Sequence, residues 1–104
     1  MSAASRRKGV AGEREVARIW AANGCTVRGL EGAGDHYVFG QGVAVIHSEV
    51  KRHADRVRVP EWIRQAESEA APGAVPVVAF RQDRGRWYAV LPLEDLARIV
   101  GGEA

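Results

Sequence analysis

An acid and an amine two residues apart, Glu49 and Lys51, close the run V-A-V-I-H-S-E-V-K-R at 43–52. Side chains on a strand alternate between faces, so these two project side by side, on the face that also carries Val43, Val45 and His47. Ala44, Ile46, Ser48 and Val50 take the other face, which is nearly all apolar and suits packing on a core. The first face starts apolar and turns charged toward its C-terminal end, where a buried sheet is expected to meet solvent. Two chemistries fit such a pair. One is an ion pair, worth roughly 0–1 kcal/mol when exposed. The other is a metal-ligating carboxylate beside a lysine that positions a water nucleophile.

Two further carboxylates bear on that choice. Asp35 ends the small-residue stretch Glu31-Gly32-Ala33-Gly34, and 38–51 reads as a hairpin turning at Gly40-Gln41-Gly42. The entrance of one hairpin arm neighbours the exit of the other, so Asp35 and Glu49 can meet across the strands. Carboxylates brought that close repel, and either one takes up a proton or a cation sits between them. The plainer account of Asp35 is turn chemistry, since Gly-Asp is a common turn dipeptide. Glu13 lies on a helix expected from Gly9 to Asn23, whose apolar positions Val16, Ile19, Trp20 and Asn23 step by three and four. It leans from the apolar stripe or its edge, whereas Arg14, Glu15 and Arg18 take the wet side. A carboxylate there either curls outward or needs a partner. Together, Glu13, Asp35 and Glu49 make an oxygen-rich set of the kind that hard divalent cations prefer. A cation so held polarises a phosphodiester oxygen and lowers the pKa of bound water, and Lys51 can orient that water.

The elements that must position these groups follow from composition and punctuation. The chain has 104 residues, one domain's worth, with 46% hydrophobic and 27% charged residues, an ordinary globular profile. Net charge is +2 and the pI about 9.1, a basic bias that permits a polyanionic partner without demanding one. A single cysteine, Cys25, excludes an internal disulfide or a multi-cysteine zinc site. With no apolar stretch in residues 1–8 and no membrane-length apolar run, the expectation is an intracellular, cytoplasmic protein in a reducing compartment. Residues 1–8 read as a flexible basic arm, 9–100 as one domain and 101–104 as a tail. Short strands are expected at 25–30 and 37–39. Pro60 opens a second helix to about Ala71, with Trp62, Ile63, Ala66 and Ala70 as its stripe, Gln65 beside it and Pro72-Gly73 ending it. Residues 75–80 are a nearly continuous apolar strand, expected to be central. Gln82-Asp83-Arg84-Gly85 turns into a return strand at 86–91, and Pro92 begins a last helix through Val100. The order is αβββαββα: an α/β fold with a mixed central sheet and flanking helices.

The pattern Gly-Asp, hairpin, Glu-Val-Lys resembles the signature of the PD-(D/E)XK nuclease superfamily. With R-K-G-V-A-G-E-R-E-V-A-R-I, I-H-S-E-V-K-R, V-P-E-W-I-R-Q and P-L-E-D-L, the chain is similar over about residues 6–99 to the archaeal-type Holliday junction resolvases. The resemblance implies a restriction-endonuclease-like three-layer core and a magnesium-dependent endonuclease, with Mn2+ as substitute, that resolves four-way DNA junctions as a homodimer. It implies that Glu13, Asp35, Glu49 and the Val50 carbonyl hold the metal and that Lys51 orients the attacking water. Arg6, Arg7 and Lys8 become an arm gripping DNA, and Gln65 faces the site from the second helix. Arg52, Arg56 and Arg58, in the densest basic segment, become phosphate contacts. Gly34 stands where proline is usual, and His36 where an aliphatic is expected. His47 either touches DNA or metal or fills the site's rim. Trp20, Trp62 and Trp87 are expected in the core or a dimer interface. The alternatives are a nuclease of the same fold acting on flaps, nicks or duplex sites, a non-catalytic nucleic-acid-binding module, and a structural protein whose charges only solvate it.

Overall fold

The computed structural model describes residues 3–29, 35–40, 45–52 and 56–102, with only the backbone for residues 4–6 and Asp35. The loop at 31–34, most of the turn at 40–42, Val43, Ala44 and His53 lie outside the described residues. The chain runs α1 (Ala3–Ala22), β1 (Thr26–Gly29), β2 (Asp35–Phe39), β3 (Ile46–Lys51), α2 (Val59–Glu69), β4 (Val75–Phe80), β5 (Tyr88–Val90) and α3 (Leu93–Val100). The αβββαββα order is the expected one. The sheet order is β1-β2-β3-β4-β5, antiparallel throughout except for the parallel pair β3–β4. A parallel pair needs a crossover, which α2 supplies.

Strand β2 starts two residues earlier than expected and β5 is confined to Tyr88–Val90, but the largest departure is at the start of α1. Helix α1 begins at Ala3, so residues 3–8 belong to its first turns and are not an arm. Ala, Arg and Lys are strong helix formers, and their summed preference carries the helix through Gly9, whose local cost is about 1 kcal/mol. The other end is as the sequence indicates. Gly24 has φ +89°, the left-handed conformation that glycine adopts freely, and the Cys25 amide donates back to the Trp20 carbonyl at 3.1 Å.

The three helices make two layers on opposite faces of the sheet. Trp20 Nε1 donates to Ser48 Oγ at 3.3 Å, which seats α1 on the face of Ile46, Ser48 and Val50. That face holds one core of Val38, Ile46, Val75 and Val77, against which Trp20, Cys25, Leu91 and Ile99 pack, so α3 lies on the same side. The other face carries Trp62, Ala66 and Val78, with Val59, Ile63 and Phe80 against them, and is covered by α2. Trp62 and Phe80 stand 5.8 Å apart, ring to ring.

This double cover changes the expected reading of β3. The His47 and Glu49 side was expected to run out to solvent. Instead Ile46, His47, Ser48 and Glu49 are all buried. A strand in mid-sheet beside a parallel neighbour is buried on both faces, because the crossover helix covers the second one. Gly12 lets α1 come down over the C-terminal end of that strand. A Cβ there would stand 3.0 Å from Arg52 Cβ and 3.3 Å from the Trp87 ring.

Candidate active site

Strands β2 and β3 pair with Asp35 directly opposite Glu49, His36 opposite Ser48 and Tyr37 opposite His47. Directly opposed residues of an antiparallel pair share a face, with Cβ atoms about 4.5–5.5 Å apart. Asp35, Tyr37, His47, Glu49 and Lys51 therefore lie on the α2 side. The Asp35 side chain itself lies outside the described residues.

A connected polar group occupies the space between β3 and α2. Lys51 Nζ sits 3.1 Å from Glu49 Oε1 and donates to Gln65 Oε1 at 2.8 Å. The Gln65 amide donates in turn to Glu69 Oε1 at 3.0 Å. Glu49 Oε2 faces His47 Nε2 at 3.6 Å. Residue Glu49 is 4% exposed and His47 1%. A carboxylate taken that far from water is costly unless held by charge or hydrogen bonds, and the half-buried Lys51 ammonium supplies the opposite charge. His47 is also packed by Tyr37, edge to face at 5.3 Å between centroids, and Tyr37 Oη accepts a hydrogen bond from the Ala71 amide at 3.2 Å. That contact ties the end of α2 to β2.

Gln65 faces Lys51, the position that the resemblance implies for it. His47 is not at a rim: Tyr37 and the α2 layer enclose it. Glu69 carries no weight in the sequence reading, yet one ligand atom from each of His47, Glu49 and Glu69 lies within 4.8 Å of the others. The signal was its spacing, since a residue four beyond Gln65 shares its helix face. Val50 lies between Glu49 and Lys51 with its side chain toward α1.

Glu13 belongs to the other layer. Its carboxylate acts on His36, which follows Asp35 on β2 and faces α1. Burial pushes the His36 imidazole below its usual pKa, and the Glu13 charge partly restores it. Glu13 and the Glu49–Lys51 pair thus occupy opposite faces of the sheet.

The cations expected to meet phosphate divide in two. Arg52 is inside: its side chain is 8% exposed, packs under Gly12 and reaches Asp83 at 2.8 Å. Lys8 approaches the same carboxylate at 3.3 Å. The hydrogen bonds from Arg52 and Lys8 hold the Asp83 carboxyl below its ordinary range. The close approach of α1 at Gly12 turns Arg52 into a clamp between β3 and the β4–β5 turn. Arg7, Arg56 and Arg58 are exposed, Arg58 with Glu61 at 3.5 Å; the Arg6 side chain lies outside the described residues.

Hard divalent cations prefer oxygen donors, and the end of β3 offers the buried Glu49 carboxylate opposite the position of Asp35. No family model matches the chain, and no curated protein matches it.

Proposed function

We propose that this protein is a magnesium-dependent DNA endonuclease of the resolvase type, cutting phosphodiester bonds in four-way junctions as a homodimer. The reading is supported above all by the grouping on β2, β3 and α2: Asp35 opposite Glu49 in register, Lys51 3.1 Å from Glu49, and Gln65 2.8 Å from Lys51. Asp35 and Glu49 would hold the ion, with Mn2+ as substitute. Bound there, it would polarise the phosphodiester and acidify a water. Lys51, fixed between Glu49 and Gln65, presents an ammonium that orients the water and stabilises charge growing on the phosphoryl oxygens. Gln65 keeps that ammonium from swinging away, and through Glu69 it ties the lysine to the end of α2. The exposed Arg7, Arg56 and Arg58 would grip flanking phosphates, giving affinity that weakens as salt rises.

Cleavage of junction, flap and linear duplex with Mg2+ tests this reading. The wild type is expected to cut the junction fastest, and Glu49→Gln or Lys51→Ala to lose about 100-fold or more in rate. Faster cutting of flap or duplex would move the assignment to another nuclease of this fold. Binding without cutting would mark a nucleic-acid-binding module instead.

A further inference from the structure

We infer that His47, Glu49 and Glu69 form a site for a first-row transition dication of the Zn2+ or Co2+ class, with a donor set of its own that shares only Glu49 with the proposed magnesium ligands. The three side chains come from two elements that the fold clamps together. His47 and Glu49 are two apart on one face of β3, and Glu69 ends α2 above them. One donor atom of each lies within 4.8 Å of the others. Donors on one zinc ion sit about 2.0–2.2 Å from it, so three ligands stand roughly 3–4 Å apart. The exposed Glu69 side chain can make the remaining approach, whereas His47 and Glu49 are already fixed by burial.

Lys51 takes Glu49 Oε1, so Oε2 is the oxygen turned toward His47 Nε2. Gln65 holds Glu69 by Oε1. Glu69 also stands in the last turn of α2, where the helix dipole is negative and favours a cation. An imidazole with two carboxylates selects against magnesium, which prefers oxygen and sheds water reluctantly, and for a borderline ion that accepts nitrogen. Three protein ligands and a water make an open tetrahedral site.

Binding does not need the nuclease reading, but one consequence rests on it: an ion of this class would draw Glu49 away from magnesium and slow cleavage. The 104-residue chain, freed of metal, is titrated with Co2+ and followed by visible absorption, with Zn2+ and Mg2+ as competitors. The expected result is one Co2+ per chain, displaced by Zn2+ and not by an excess of Mg2+ of about a hundredfold. Glu69→Gln, at an exposed position, is expected to weaken binding by roughly 10–100-fold. His47→Gln, checked for folding by circular dichroism, is expected to do the same. The cysteine control Cys25→Ser should leave the spectrum unchanged, since Cys25 packs on the α1 face. Absent Co2+ absorption, affinity within twofold of wild type in Glu69→Gln, or loss of the signal in Cys25→Ser would each overturn the site. In cleavage assays, Zn2+ should inhibit the wild type more than Glu69→Gln. A protein that binds Co2+ as described and cuts no DNA would refute the nuclease reading alone.

Discussion

Among the described residues, Lys51 meets the Glu49 carboxylate and the Gln65 amide, and the amide sets its direction. Gln65→Ala keeps the ion pair with Glu49 but removes the 2.8 Å hydrogen bond. If the proposed chemistry holds, junction cleavage in this variant falls about 10–100-fold with unchanged DNA affinity, because a supporting group is lost and a phosphate contact is not. Steady-state cleavage beside a binding titration reads both quantities. On the other face, His36 titrates below its ordinary value because it is buried, and the Glu13 carboxylate opposes that shift. Glu13→Gln should push the His36 pKa lower still in an NMR titration; a rise or no change would remove Glu13 as its neighbour. The sign for stability follows. The unfolded chain takes up this proton more readily than the folded one, so the His36 contribution weakens as pH drops below about 6.5, and Glu13→Gln deepens that loss.

Helix α1 depends on a residue with no side chain. Gly12 is a poor helix former, yet any Cβ there meets Arg52 and Trp87 within 3.3 Å. Gly12→Leu should destabilise the protein by about 1–3 kcal/mol in urea unfolding, since overpacking must displace both neighbours. It should also loosen the Arg52–Asp83–Lys8 cluster. A second anchor is further along the helix, where Trp20 donates to Ser48. Helix α2 is held differently, by Trp62 and Ala66 under it and by Tyr37 at its end. The polar group between α2 and β3 therefore sits over a packed base, which is what keeps Lys51, Gln65 and Glu69 in one chain of contacts.

For the molecule as a whole, the outer side of α3 matters most. No residue of this helix is buried, and Leu93 and Val100 are each 78% exposed, with Leu96 also on the surface. Residues seven apart on a helix share a face, so these apolar groups form one stripe. If two copies pair as proposed, this stripe is the apolar surface to test as the one that joins them. Leu93→Glu with Val100→Glu is then expected to halve the sedimenting mass, while circular dichroism stays unchanged. An unchanged mass would take α3 out of the interface. Among the described residues, no helix is long and apolar enough to cross a membrane.

Periodicity and punctuation carried the element order, because strand and helix repeats and their glycine and proline stops are local properties. The Asp35–Glu49 pairing was equally readable, since a hairpin's two arms fix which ends meet. Other features depended on long-range packing. Glu13, Glu49 and Lys51 look alike as charges along the chain, but α1 and α2 lie on opposite faces, and Glu13 went with His36. Arg52 reads as a phosphate contact until Gly12 brings a helix over it. His47 reads as a rim residue until α2 covers its strand, and Glu69 acquires meaning only when that helix's last turn meets His47 and Glu49. Short-range pattern specifies what each segment becomes. Which charges are buried together follows from how layers stack, and stacking joins residues that no local repeat relates.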